Sequence, residues 1–309
     1  MTKFEAINWN QIANRVDYSA WSRLNDFIWE PERIPVFKDK KEFESLGDDV
    51  KEAVIRSFAA LAFLSTIQVK FGDDATKQDT VTSQGYSVYT ALCYLEAIAN
   101  KGYSNVIQNL ANPSEINSYF TWVNEQETFQ KIASKYLDIY KNGEWWQRKI
   151  ALSFMEMALY HVGFYASLRL FGEGKLIRTA EVVKLAIRSS SFNAMYPGVK
   201  FRIKAADLDE TKQKEIERWT NAFVREIAPI IEEVIDKEYT KVGWADDAKH
   251  YFHYTLNKNF MNLGFPTLYQ EDEDSVSQTL QKGLIKSANF EDFFFYSNRN
   301  ALTKYNKKD

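Results

Sequence analysis

Hydrophobic residues recur along most of the chain at the three- and four-residue spacing that is typical of α-helices. This spacing, together with helix-ending signals, predicts seven long helices. They cover residues 48–71, 82–110, 115–140, 144–171, 178–204, 210–240 and 245–262. Short breakers such as Asn142-Gly143 separate them, and short connections favour antiparallel neighbours. The pattern therefore predicts an all-α fold, a bundle of helices.

The N-terminal part of the chain has a different pattern. Pro31 and Pro35 interrupt the stretch IWEPERIPVF, so we expect residues 29–37 to form an extended segment before the helices begin. No linker, repeat or low-complexity tract divides the rest. The sequence thus predicts a single domain over residues 1–309, with an entry segment over 1–45 and a short C-terminal tail over 285–309.

Polar side chains are predicted on the inner faces of four of these helices. At steps of four and three residues, the second helix presents one continuous stripe of Leu92, Glu96, Ala99, Tyr103 and Val106. The fourth helix carries Glu156 in an apolar context, and the first and fifth bring in Ser65, Ser190 and Asn193. A buried carboxylate needs a partner, and its pKa rises without one. These hydroxyl and amide groups are candidate partners, unless the assumed helix phase is wrong and the carboxylates face solvent.

Composition narrows the possible functions. With 309 residues, 45% of them hydrophobic, the chain can bury a large core. A net charge of -3 gives no basic surface for nucleic acid or an anionic membrane, and the longest clean apolar run, residues 58–64, is too short to span a bilayer. We expect neither partner. The single Cys93 excludes an internal disulfide and agrees with a cytoplasmic location.

Several segments of the chain resemble the small subunit of class I ribonucleotide reductase, most closely its shorter bacterial form. The segments are INWN at 7–10, IWEPERIP at 28–35, LAFLSTIQ at 61–68, LEAIANKGYS at 95–104, MEMALYHVGF at 155–164, AIRSSSFNAMYPGVKF at 186–201 and NKNFMNLGF at 257–265. The resemblance implies a ferritin-like helical bundle that forms dimers and works with a large subunit. In that family an Asp, a lone Glu and two Glu-x-x-His pairs hold two metal ions between four helices.

The resemblance also assigns residues of this chain to the family's metal-ligand positions. In chain order, the six positions fall on Ser65, Glu96, Ala99, Glu156, Ser190 and Asn193. The family's radical-bearing Tyr falls on Tyr103. Four of the six ligands, both imidazoles among them, are therefore replaced, and two carboxylates cannot define a dimetal site. We expect no metal cofactor. The chain's own imidazoles, His161, His250 and His253, fall elsewhere, and we expect structural or surface roles for them.

The family's route for electrons between subunits is changed as well. Its Trp is retained as Trp29, but the Asp of that route falls on Ser189 and the ligand His falls on Ala99. The family's C-terminal docking peptide, which is acidic and aromatic, has no counterpart in the ending FFYSNRNALTKYNKKD. These departures predict an interrupted electron route and, unless the chain continues beyond residue 309, no docking peptide of the usual kind.

Three functions remain open from the sequence, and with them whether the chain is an enzyme. The replaced ligands, electron route and tail favour an accessory or structural partner of a reductase, which would pair with the large subunit or with an intact small-subunit paralogue. The retained Tyr103, Glu96, Glu156 and Trp29 favour a metal-free subunit that stores a radical on Tyr103, unmodified or modified. The space left by the missing ligands favours a small-ligand site. Ordinary packing is the structural alternative for Tyr103.

Overall fold

The chain forms a helical bundle in the computed structural model, which describes residues 5–288. Within this range the α-helices are α1 Arg15–Arg23, α2 Lys40–Glu44, α3 Asp48–Ile67, α4 Asp73–Lys77, α5 Ser83–Leu110, α6 Ile116–Glu125, α7 Glu127–Asn142, α8 Trp145–Phe154, α9 Tyr160–Gly172, α10 Ile177–Ala205, α11 Glu210–Tyr239, α12 Ala245–Leu263 and α13 Gln278–Ala288. The described residues include no β-strand. The all-α prediction is confirmed.

The centre of the bundle is built from α3, α5, α10 and the segment that joins α8 to α9, which pack against one another. Helices α7, α11 and α12 cover their outer sides. One continuous hydrophobic cluster reaches from Ala20 to Leu280 and includes the fully buried Phe58, Leu92 and Phe164. The four helices on which the sequence predicted inward polar groups are thus the central ones. The assignment of one domain to residues 1–309 stays a prediction.

Two of the central helices contain a π-helical turn. Helix α3 continues into α4 through the turn Gln68–Gly72, and α8 continues into α9 through Met155–Leu159. A π-helical turn takes one more residue than an α-helical turn, so it changes which side chains face the neighbouring helices, and such turns are frequent at functional sites. The helix predicted over 48–71 therefore extends further, to Lys77.

The structure corrects other local predictions. Residues 29–37 are not simply extended, because Pro31–Arg33 and the first residues of Val36–Asp39 form 3-10 turns, and proline fits the first position of a helical turn. The helix predicted over 115–140 is two helices, since the backbone of Gln126 is extended between α6 and α7. Helices α1, α2 and α13 were not predicted, because short segments contain few periods of the hydrophobic pattern.

Helix α13 crosses α9 at very short distance, with a glycine on each side of the contact. An added Cβ at Gly172 would lie 1.9 Å from the carbonyl oxygen of Thr279, and one at Gly283 would lie 2.0 Å from that of Leu168. Only glycine permits backbones to approach this closely. The two glycines therefore fix where α13 lies. The predicted tail beyond residue 288, with its ending, lies outside the described residues.

One helical stretch in the described part of the chain, Asp48–Lys77, is long and apolar enough to cross a membrane by length and composition. In the bundle, 61% of its most apolar window is buried against other helices. A core helix of a bundle passes the same test, so this stretch is weak evidence for a membrane span. The expectation of no membrane partner stays a prediction.

Candidate functional site: a buried carboxylate pair

Glu96 and Glu156 meet in the centre of the bundle. Glu96 lies on α5 and is 2% exposed, whereas Glu156 lies in the π-helical turn before α9 and is 1% exposed. Their side chains are hydrogen-bonded to each other. Two carboxylates in such contact cannot both be ionised at low cost, so one of them carries the proton of that hydrogen bond. The helix phase assumed from the sequence is therefore correct for both residues.

Burial dominates the acid–base behaviour of the pair. It raises the pKa of Glu96 to about 7, and hydrogen bonds from Tyr160, Glu156 and Asn193 offset part of that rise. Burial, followed by the negative charge of Glu96, raises the pKa of Glu156 well above its ordinary value. The two carboxyls therefore titrate as a coupled pair that keeps at least one proton at neutral pH.

Glu96 accepts hydrogen bonds from two further helices. The hydroxyl of Tyr160 on α9 donates to its Oε1 at 2.7 Å. The amide of Asn193 on α10 reaches Oε2 at 3.5 Å, and its own Oδ1 is buried without a partner in the described structure. Asn193 was a predicted partner, but Tyr160 was missed. Its spacing of four residues after Glu156 could have revealed it, because such residues share a helix face.

Glu156 is held by residues from α10 and from the turn after α3. The Ser190 hydroxyl lies 2.7 Å from Oε2 and 2.6 Å from the carbonyl oxygen of Glu156, and can donate to either. The Gln68 amide donates to Oε1 at 3.2 Å, and its own oxygen accepts from the Tyr140 hydroxyl. Ser190 was predicted, whereas Gln68 and Tyr140 were not. The side-chain groups of Ser190, Gln68 and Tyr140 that hold Glu156, directly or through Gln68, therefore all have protein partners.

Ser65 does not join the carboxylates, so the sequence was wrong to offer it as their partner. Its hydroxyl donates to the carbonyl oxygen of Ala62 at 3.2 Å and accepts from the Asn100 amide at 2.6 Å. Gln68, one turn further along in the π-helical segment, reaches Glu156 instead. Ala99 is buried on the stripe of α5 and contributes only a methyl group.

Tyr103 is fully buried on the same face of α5 as Glu96. Its ring centroid lies 6.4 Å from that of Phe58 and 6.3 Å from that of Phe164. Its hydroxyl has no hydrogen-bond partner among the described residues. Burial, and then the charges of Glu96 and Glu156, raise the pKa of Tyr103 well above its ordinary value. The phenol is therefore held in its neutral, unbonded form.

Trp29 packs against the backbone of α5 one residue before Tyr103. A Cβ added at Gly102 would lie 2.4 Å from the Trp29 ring, so glycine at this position makes room for the indole. The Trp29 Nε1 group is buried and has no partner in the described structure. Ser189 donates to the carbonyl oxygen of Leu185 at 3.1 Å. The two positions that the resemblance places on the electron route are thus not hydrogen-bonded to each other.

The three histidines lie away from the carboxylate pair, and two of them, His161 and His253, make hydrogen bonds elsewhere. His161 is buried on α9 with Nδ1 2.6 Å from the Tyr251 hydroxyl, and burial lowers the pKa of this imidazole to about 3. His253 lies between two carboxylates, with Nε2 2.8 Å from that of Glu232. His250 is exposed. None of these contacts involves Glu96 or Glu156.

Residues 6–278 match the family model described as ribonucleotide reductase, small chain. The chain belongs to this family. The ribonucleoside-diphosphate reductase subunit beta of Mycobacterium leprae is 30% identical over 95% of this chain and 90% of its own length. The subunit beta of ribonucleoside-diphosphate reductase 2 from Escherichia coli K12 is 26% identical over 96% and 92%. Ribonucleotide reductase small chains of this kind thus align with the chain over nearly its whole length.

Structural comparison agrees with the small-chain assignment. The crystal structure of dimanganese(II)-NrdF from Streptococcus sanguinis superimposes with a TM-score of 0.90 at 32% identity, covering 91% of this chain and 100% of that one. The ferritin-like bundle of the reductase small chain is therefore the fold of this protein, as the sequence predicted.

A reductase small chain implies a dimetal centre, and the residues at hand can be tested against it. The six positions that the resemblance assigns to metal ligands offer two carboxylates, which are already engaged with each other and with protein donors, and no imidazole. In residues 5–288, no group of three or more His, Cys, Asp or Glu side chains is placed to hold a metal ion. A pair of divalent ions needs more anionic oxygen and imidazole ligands than this. The residues present do not fit a dimetal centre.

Proposed function

We propose that this small chain works without a dimetal centre, as an accessory or structural partner of ribonucleotide reductase in deoxyribonucleotide synthesis. The carboxylate pair carries the proposal. Glu96 and Glu156 share one proton and accept from Tyr160, Ser190 and Gln68, in the place where the family holds two metal ions. The protein itself supplies these hydrogen bonds, which supports a site that needs no cation.

The surroundings of Tyr103 and Trp29 support the accessory role over a radical on Tyr103. A phenol that loses an electron must also pass its proton to a base within hydrogen-bond reach, and no residue among 5–288 gives Tyr103 such a base. In the same part of the chain, the Trp29 indole nitrogen likewise has no partner through which a proton would move with the electron. A ligand site between the helices is less well supported, because Gln68, Tyr140 and Tyr160 project into the space that the missing ligands leave.

The partners we propose follow from the names of the relatives, which are beta subunits of ribonucleoside-diphosphate reductase. They are the reductase large subunit, an intact small-subunit paralogue, or both, in the cytoplasm, with the chain itself in a dimer. Exposed Tyr86 and Tyr94 on the outer face of α5 support a protein partner, because exposed aromatic patches commonly mark interfaces.

Reconstitution tests this proposal. The purified chain is combined with the large subunit from the same organism, with and without the intact paralogue, and binding, nucleotide reduction and metal content are measured. We expect binding, far less than one metal ion per chain, no turnover by the chain with the large subunit alone, and a change in the paralogue's assembly or turnover when the chain is added. Two metal ions per chain would overturn the proposal.

The variant Tyr103→Phe separates the accessory role from a radical on Tyr103 in the same assay. Because the Tyr103 hydroxyl makes no hydrogen bond to any residue that the structure describes, its removal is expected to leave binding unchanged and to alter the free energy of unfolding by less than about 1 kcal/mol. If the wild type instead supports turnover without metal and Tyr103→Phe abolishes it, the chain is a metal-free radical subunit.

A further inference from the structure

Two tyrosines lie buried beside the carboxylate pair, and they differ in one contact. Tyr160 and Tyr103 are both fully buried, and the same phenyl ring, that of Phe164, lies 6.4 Å from the first and 6.3 Å from the second. The Tyr160 hydroxyl donates to Glu96 Oε1 at 2.7 Å. The Tyr103 hydroxyl has no partner in the described structure. Only Tyr160 therefore has a base in hydrogen-bond contact.

That contact decides which phenol can be oxidised to a stable product. Loss of one electron leaves a cationic phenol, and a buried, unpaired charge in an apolar interior is very unfavourable. The charge disappears if the hydroxyl proton moves to a base within about 2.6–3.2 Å as the electron leaves. Glu96 meets this condition for Tyr160, and no described group meets it for Tyr103.

We infer that Tyr160, rather than Tyr103, is the redox-active tyrosine of this chain, with Glu96 as its proton acceptor. An outer-sphere one-electron oxidant takes one electron from the Tyr160 ring and is itself reduced by one electron. The Tyr160 O–H bond breaks, and the proton forms a new bond to Glu96 Oε1. The products are a neutral phenoxyl radical and a neutral carboxylic acid, and the negative charge that Glu96 loses is the charge that the oxidant gains, so no net charge remains buried on these two groups.

The other contacts of Glu96 and Glu156 are consistent with this transfer. The Glu156 carboxyl is hydrogen-bonded to the Glu96 carboxyl, and Ser190 and Gln68 hold it in place. The full burial of Tyr160 keeps the radical away from water and external reductants. This redox activity goes beyond the accessory role, which requires no oxidation of the chain. It needs neither a metal ion nor the electron route through Trp29.

The experiment treats the full-length, chelator-washed protein with hexachloroiridate(IV), freezes the samples at a series of times and records electron paramagnetic resonance spectra. The chain has 17 tyrosines, and exposed ones also oxidise, so the observable is the long-lived tyrosyl signal. We expect it in the wild type and in the matched control Tyr103→Phe, and we expect Tyr160→Phe to abolish it. In Glu96→Gln its lifetime should fall by about 100-fold, the lower range of what a positioned acid or base contributes.

A second measurement uses the wild type alone and does not depend on whether a variant folds. In a Tyr160 radical the proton on Glu96 remains hydrogen-bonded to the phenoxyl oxygen, so electron–nuclear double resonance after exchange into deuterium oxide should reveal an exchangeable deuteron. A Tyr103 radical would show none. Persistence of the long-lived signal in Tyr160→Phe, its loss in Tyr103→Phe, or the absence of the exchangeable deuteron would overturn the inference. None of these outcomes bears on the binding assay for the accessory role.

Discussion

Ionisation of Glu96 opposes folding, because burial makes the charged form costly. Glutamate ionises near pH 4.5 in an unfolded chain and near pH 7 at Glu96 in the folded protein. Between these values the folded protein binds more protons than the unfolded chain, so its stability falls as the pH rises through this window. A surface carboxylate in an ion pair has a lowered pKa and stabilises the fold as the pH rises, so Glu96, with its raised pKa, has the opposite effect.

Replacing both carboxyls by amides should remove that dependence. We expect the double variant Glu96→Gln/Glu156→Gln to be at least as stable as the wild type at neutral pH. In the wild type the free energy of unfolding falls with rising pH by about 1.4 kcal/mol per unit of pKa difference between the folded and unfolded states, and we expect the variant to lose this fall. Urea unfolding at a series of pH values between the two pKa values measures this. A loss of several kcal/mol in the variant at neutral pH would mean that the carboxylates hold a cation.

At the residue scale, the sequence predicted those positions that depend on the spacing within one helix. The stripe of α5 places Glu96 and Tyr103 on a buried face by periodicity alone, and the structure agrees. The sequence did not predict Gln68 or Tyr140 as partners of the carboxylates, and it wrongly offered Ser65. Partners on other helices depend on how those helices are rotated against each other. Gln68 itself lies in the π-helical turn Gln68–Gly72, and no hydrophobic period signals such a turn.

At the scale of elements, the crossing of α9 and α13 depends on two glycines. We expect Gly172→Ala or Gly283→Ala to separate the helices and to lower the free energy of unfolding by about 1–3 kcal/mol, because the added methyl group would overlap a backbone carbonyl. Hydrogen exchange of α13 measured by mass spectrometry should then rise. The matched control is Gly47→Ala, whose added Cβ meets nothing within 4 Å and whose φ of -60° suits alanine. Equal protection of α13 in all three variants would contradict this account.

The long helices were predictable because each contains several periods of the apolar pattern, as α5, α10 and α11 do. The short ones were not, although α1 carries one local signal. The Asn14 side chain accepts from the backbone amides of Val16 and Asp17, which is the usual N-cap arrangement. A capping residue without a long apolar stripe is too common in loops to predict a helix by itself.

At the scale of the whole molecule, Asp17 joins three distant parts of the chain. It is fully buried on α1 and accepts from Thr82 at 2.5 Å, from Tyr196 at 2.9 Å and from Lys200 at 2.8 Å. We expect Asp17→Ala to lower the free energy of unfolding by about 3 kcal/mol, since it breaks a buried ion pair and leaves two hydroxyls without their acceptor. Denaturant unfolding measures the change. The exposed pair Glu210–Lys214 is the control, and Glu210→Ala should have an effect within experimental error.

The global fold was accessible from the sequence for two reasons. Helical periodicity extends over most of the chain, and four of the seven segments that resemble the reductase small chain lie on its central helices. The contacts of Asp17 were not accessible, because residues 17, 82 and 200 are brought together only by tertiary packing. Long-range polar contacts of this kind leave no periodic trace in a single sequence.

The interlocked contacts around Glu156 also determine how a metal-binding version of this protein would have to be engineered. Ser190→Glu alone would set a third buried carboxyl where a hydroxyl now donates, and Ala99→His alone would add an imidazole in place of a methyl group. Each single substitution would lower the free energy of unfolding, and one added ligand would not complete a metal site. Stepwise selection would therefore discard the intermediates, and a combinatorial library would have to vary these positions together.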